Sequence, residues 1–257
     1  MLSARFDKSI AMKTTIRHIK LLPALFIWLF LVSCNQTHSP GSIDGNREYS
    51  SINRQLSPYS EVGIKGNFEI ELDPTFNDHV SIEADSNLHN YIYTEVVDGK
   101  LIISTPENRS LNSLRDIHLV VGAKTLKSLQ IEGSNNLSSP SVIVFDTLKL
   151  IIAGASKSSL KLTGKVLEGE FPGAVSLDLN GFVRKTSINL AGAAKLNSFD
   201  LQTSICYINL AGAAKADVYT TDTLSVNIAG VGLVNYKGNP RKVLSTIGGI
   251  GKLQQVD

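Results

Sequence analysis

From Tyr59 onward the chain alternates apolar and polar residues at period two, the pattern of half-buried strands. Phe68-Glu69-Ile70-Glu71-Leu72 and Val80-Ser81-Ile82-Glu83-Ala84 are clear examples. Tyr91 to Val97, then Asp98-Gly99, then Lys100 to Ser104 predicts a β-hairpin, because Asp-Gly accepts the positive φ of a type I′ turn. Ile117 to Val121 and Leu126 to Ile131 read as further strands. No stretch after residue 34 combines helical periodicity with proper caps. The expectation is an all-β fold.

From Gly133 a longer period is superimposed on the alternation. Ile188-Asn189-Leu190-Ala191-Gly192-Ala193-Ala194-Lys195 returns as Ile208-Asn209-Leu210-Ala211-Gly212-Ala213-Ala214-Lys215. Weaker copies place a register glycine at Gly133, Gly154, Gly173, Gly192, Gly212, Gly230 and Gly249, at spacings of 21, 19, 19, 20, 18 and 19 residues. Units this short cannot bury a face alone, so they must stack, each strand pairing with its equivalent in the next coil. Alternation sends Ile188 and Leu190 inward and Asn189 outward. Asn189, Asn209 and Asn227 each precede a register glycine by three positions and so predict an outward ladder. The glycines are read as structural corners, kept narrow by the alanines beside them. The last rung, Val243 to Leu253, is rich in glycine and carries Lys252, which predicts a mostly monomeric domain with weak end-to-end association at most.

The first residues follow a different logic. Residues 1–33 read as a signal peptide, with Met12 as the better start. Lys13, Arg17, His18 and Lys20 form its basic region, and Leu21 to Val32 its apolar run. That run is too short to span a bilayer, which takes about 20 residues. Leu31-Val32-Ser33-Cys34 resembles the lipobox of bacterial lipoproteins, which implies cleavage before Cys34 and a lipid on its sulfur. Residues 34–57, polar and rich in Gly, Ser and Pro, read as a flexible tether, leaving 58–257 as the domain. Removing the five basic residues and one acid of 1–33 leaves 20 basic and 22 acidic residues, a net charge of −2. The pI of 8.4 thus belongs largely to the leader, and no nucleic-acid footprint remains. With Cys34 lipidated, Cys206 is the sole thiol and no internal disulfide can form.

Gly66-Asn67-Phe68-Glu69-Ile70-Glu71-Leu72, Val97-Asp98-Gly99-Lys100-Leu101-Ile102-Ile103 and the recurring Leu-Ala-Gly-Ala together resemble the head GIN domain, a family named for auto-transporter adhesins of Bacteroidetes-type envelopes. The resemblance runs from about residue 58 to the C-terminus. It implies a right-handed parallel β-helix and no catalytic site.

Candidate chemistry is sparse. Ser158-Ser159-Leu160-Lys161 fits Ser-x-x-Lys, but that chemistry needs a helical face, whereas here the pair lies in a strand pattern. There is no Gly-x-Ser-x-Gly, Walker loop or His-Glu-x-x-His. His79, His89 and His118 lack ligand spacing and read as surface or strand residues, so neither a metal nor a cofactor is expected. Lys157, Lys195, Lys215 and Lys252 each follow a register glycine by three positions. That column is read as solvated; the alternative is a basic stripe for anionic glycan or lipid headgroups. Cys206 reads as a small buried filler. Two functions follow: a non-enzymatic envelope module that binds a glycan or envelope protein, or a polysaccharide lyase or hydrolase on a β-helix. Rungs of 18–21 residues leave no room for cleft walls, which favours the first. The lipobox carries its own test. Cys34→Ala should move the protein from the membrane fraction to the soluble one, because acyl burial contributes about 0.8 kcal/mol per methylene. A mutant that stays membrane-bound, beside a wild type that takes up no palmitate, ends the lipobox reading.

Overall fold

The computed structural model describes residues 41–75 and 78–257. The described chain is all-β, its one helical element a single 3₁₀ turn at His89–Tyr91. Along the chain run β1 (Ser42–Asp44), β2 (Tyr49–Gln55), β3 (Glu61–Lys65), β4 (Glu69–Asp73) and β5 (His79–Asp85). After the 3₁₀ turn come β6 (Tyr93–Val97), β7 (Lys100–Ser104), β8 (Ser110–Asn112), β9 (His118–Gly122) and β10 (Ser128–Ser138). The remainder is one long extended run, β11 (Ile143–Lys237), followed by β12 (Lys242–Ile247) and β13 (Ile250–Gln255).

The repeat does what its spacing predicts. β10 pairs in parallel with the start of β11 from Ser128↔Lys149 to Ser138↔Ser159, with Gly133 opposite Gly154. At the far end Thr223↔Lys242 and Val231↔Ile250 pair in parallel, 19 residues apart. Between them each register glycine lies on the one before it. A Cβ on Gly192 would stand 2.6 Å from the Gly173 carbonyl oxygen, and one on Gly212 2.6 Å from that of Gly192. Both glycines also have left-handed φ values, 110° and 119°. Gly249 sits over Gly230 in the same way, but its φ lies outside the left-handed region. Inward residues fill the space between turns: Leu150, Ile152, Leu177, Leu179, Leu196, Leu224 and Ile228 are all fully or almost fully buried.

Below Gly133 the order of coils departs from the order of the chain. β10 pairs with β3 through Ser128↔Glu61 and with β4 through Asn136↔Glu69, and Gly66 forms the corner there. Beneath that coil lie β7, parallel to β3, and β9, parallel to β4. Antiparallel strands finish the stack, β6 beyond β7, then β5 beyond β9 and β2 beyond β5. The hairpin is where the sequence places it, with Asp98 and Gly99 at φ 50° and 76° and Val97 opposite Lys100.

The tether assigned to residues 34–57 needs correction over its described part. Gly41 already belongs to the compact unit that runs to Asp257. β1 pairs with β8, and β2 pairs over its whole length with β5. Ile43, Ile52 and Leu56 pack against the core. An edge strand with one face in water needs few apolar residues, so Tyr49-Ser50-Ser51-Ile52-Asn53-Arg54-Gln55 passes for a linker by composition alone. The signal peptide and Cys34 lie outside the described residues.

β2 and β6 are the two outer edges of this sheet, and they approach one another. Arg54 of β2 reaches across to donate to the carbonyls of Ile92 (2.6 Å) and His89 (2.8 Å) and to Thr94 Oγ1 (2.9 Å). His89, expected at the surface or in a strand, is instead buried in the 3₁₀ turn, with Nε2 3.2 Å from the Ser50 carbonyl and Nδ1 unpartnered.

Two predictions follow from these contacts. Gly192→Val and Gly212→Val should each cost about 3 kcal/mol or more, combining a forbidden φ with a backbone clash, while Lys195→Ala leaves the unfolding midpoint nearly unchanged. Denaturant titration reads both, and the reverse order of sensitivity refutes the stacked-corner account. His89 is held below its ordinary pKa chiefly by burial, with Arg54 adding to the effect and the Ser50 carbonyl opposing it. Well above about pH 6.5 the ring is neutral in both folded and unfolded chains and contributes no pH dependence. As pH falls from there to the lower folded pKa, the unfolded chain binds the proton first and stability is lost. His89→Gln should therefore lose less stability than wild type between about pH 7 and pH 5; equal losses refute the assignment.

Candidate functional site

The stack presents flat outward columns, and the columns beside the register glycines hold most of the polar chemistry. Three positions before the glycine stand Asn189, Asn209 and Asn227, all exposed. Asn209 Nδ2 donates to Asn189 Oδ1 at 2.7 Å, so the ladder forms there. It stops at that pair, because Asn227 has no amide bond to Asn209. Two positions further back, Ser187, Tyr207 and Ser225 line up on the same face. Tyr207 is 37% exposed and carries the Lys185 ammonium 5.5 Å from its ring centroid. Ser187, Asn189, Tyr207, Asn209, Ser225 and Asn227 thus make a polar array across three coils, about 4.8 Å from row to row, with the Lys185 ammonium over its central ring.

The lysine column lies on the other side of the corner and is broken. Lys215 Nζ is 2.8 Å from Asp217 Oδ2, so its charge is neutralised locally. Lys157, Lys195 and Lys252 are exposed and make no ion pair among the described residues, and Ser176 and Leu233 interrupt the spacing between them. Five positions after the glycines runs a ladder that the sequence reading missed. Asn197 Nδ2 donates to Asp178 (2.8 Å), Asn235 Nδ2 to the buried Asp217 (2.6 Å), and Gln254 Nε2 to Asn235 (2.7 Å). The signal was present: residues 178, 197, 217, 235 and 254 are all amides or acids at one fixed offset.

The nucleophile and metal candidates are dispersed. Ser158 is wholly buried with its hydroxyl unpartnered, whereas Lys161 turns outward and donates to the Pro140 carbonyl at 2.8 Å. No proton can pass directly between them. His118 Nδ1 lies 4.0 Å from Glu83, and His79 and His89 stand on other elements. No group of three or more His, Cys, Asp or Glu converges among the described residues. Cys206 is buried, and burial pushes its thiol up to about 11, so it is an unreactive core residue. Among the described residues no helix is long and apolar enough to cross a membrane.

The fold has solved counterparts. A protein of Bacteroides fragilis NCTC 9343 described as a putative adhesin superposes with a TM-score of 0.78 at 16% identity, over 83% of this chain and 100% of that one. A Parabacteroides distasonis ATCC 8503 protein described as a putative lipid binding protein gives 0.69 at 26% identity, over 84% and 100%. A putative adhesin from Parabacteroides merdae ATCC 43184 gives 0.65 at 18%, again over 84% and 100%. No curated protein matches. Residues 58–240 match the family model described as "Putative auto-transporter adhesin, head GIN domain", and the chain belongs to that family.

Proposed function

We propose that this protein is a non-enzymatic, lipid-anchored binding module of the cell envelope, monomeric, and wound as a right-handed parallel β-helix. The observation that carries the reading is the polar array of Ser187, Asn189, Tyr207, Asn209, Ser225 and Asn227, with Lys185 against one face of its ring. Flat, amide-rich and centred on an exposed ring, it suits an extended glycan or a polar envelope-protein surface, where ring stacking and side-chain amides share the contact. Family membership supports an adhesive role at the envelope, and the Cys34 lipobox supports anchorage at the outer membrane. Coils of near-constant length offer a face and not a cleft, which supports binding without turnover. The exposed Lys157, Lys195 and Lys252 supply a secondary contact for anionic headgroups, a reading that the relative described as lipid binding supports.

Glycan arrays probed with wild-type protein and with Tyr207→Ala test the array directly. Loss of the ring should weaken retention about fivefold or more, equivalent to about 1 kcal/mol. The thermal midpoint should barely move, since the ring lies outside the core. Protease treatment of intact cells should release the domain. A wild type that retains no glycan, or a Tyr207→Ala variant that binds as well as wild type, removes the array from the contact.

A further inference from the structure

The edge strands β2 and β6 carry a second surface, independent of the outward array. Among the described residues β6 pairs only with β7 and β2 only with β5, so each keeps one side of its backbone unpaired there. The two-residue turn makes Val97 and Lys100 a hydrogen-bonded pair, so Tyr93, Glu95 and Val97 spend their N–H groups on β7. Thr94 and Val96 therefore direct theirs toward the free edge. The floor between the edges is apolar and incompletely covered. Ile52, Leu56 and Val96 are half-buried, whereas Ile82, Leu101 and Ile103 on the inner strands are fully buried. Beside that floor opens a cavity of about 580 Å³, lined by residues that include Arg54, His89, Tyr93, Thr94, Glu95 and Ser104.

Arg54 gives the occupant its charge. Its guanidinium has five N–H donors, and three bonds are made, two from Nη1 and one from Nη2. Nε–H and one Nη2 hydrogen remain unspent on nitrogens that a carboxylate meets side-on. All three present acceptors are uncharged, and among the described residues no carboxylate pairs with this half-buried cation. Glu95, the acid of β6, is exposed and lines the same cavity, but it makes no ion pair with Arg54 among the described residues. His89 beside it keeps its buried Nδ1 without a partner.

We propose that the seam between β2 and β6 is a receptor groove for an extended, carboxylate-bearing peptide segment of a partner protein. The segment adds to β6 as a further strand, its backbone engaging the free N–H groups of Thr94 and Val96. Alternate apolar side chains cover Ile52, Leu56 and Val96, and its carboxylate takes the Nε–Nη2 edge of Arg54.

An array of fluorescent octapeptides alternating valine and threonine, with one aspartate stepped through each position, tests the groove against the full chain by anisotropy. Saturable binding is expected for one or two aspartate positions only. Replacing that aspartate by asparagine should weaken binding about tenfold or more, as should Arg54→Lys, which keeps the charge but loses the planar fork. N-methylation of the peptide on alternate residues should abolish binding in one phase and spare it in the other, since only one set of N–H groups faces β6. Val96→Pro, which removes an outward edge donor, should also block binding while circular dichroism stays unchanged. The proposal is overturned if no aspartate peptide binds saturably, or if binding ignores both N-methylation phases. It is equally overturned if light scattering shows a concentration-dependent dimer that Val96→Pro disperses, because the groove then belongs to a second copy of this chain.

Discussion

The stack rests on a backbone-to-backbone approach at one corner. Each register glycine places its α-carbon where the carbonyl of the glycine beneath leaves no room for a side chain. That closeness keeps the inter-strand ladder continuous through the bend, so β11 runs from Ile143 to Lys237 without losing its partners. Everything outward follows from it. Because the corners superpose, residues at a fixed distance from them superpose too, and side chains on successive turns form columns. The Asp217–Asn235–Gln254 ladder, the Asn189–Asn209 pair and the lysine column are three readings of one register.

The same register explains which parts of the molecule could be read before its structure. A period near 19 residues, an alternation of inward Leu and Ile, and an Asp-Gly turn are local signals, and each fixed a real element. Positions such as Leu190, Leu210 and Ile228 needed nothing more than alternation to be placed inside. The amide-and-acid ladder was equally legible but was overlooked, because Asp and Asn differ in charge and so conceal a shared offset. Partner choice was different. Whether Lys215 is free depends on an aspartate two residues along the strand on the same face, which the column alone does not reveal.

The N-terminal portion resisted reading for a physical reason. Strands β5, β6, β7 and β9 could be read singly, and the β6–β7 hairpin with them, but β2, β5 and β9 occur once each, so no repeat marks the partners they find across long stretches of chain. β2 is polar enough to pass for linker, since its task is to close an edge and hold the 3₁₀ turn through Arg54 and Ser50. Edges and seams are built from such non-repeating contacts, which is why the groove between β2 and β6 has no signature in the alternation.

The inverted order of the lowest coils also bears on how the chain acquires this shape during synthesis. Glu61 meets Ser128 only after 67 intervening steps along the chain, and Tyr49 meets Asp85 after 36, whereas Thr223 and Lys242 are 19 apart. Closing a long loop before any turn exists to dock against is the slow, entropy-limited event, and each later coil closes a short loop onto a finished template. The segment through Ser138 therefore carries the costliest loop closures of the chain, and each later turn adds a shorter and cheaper one.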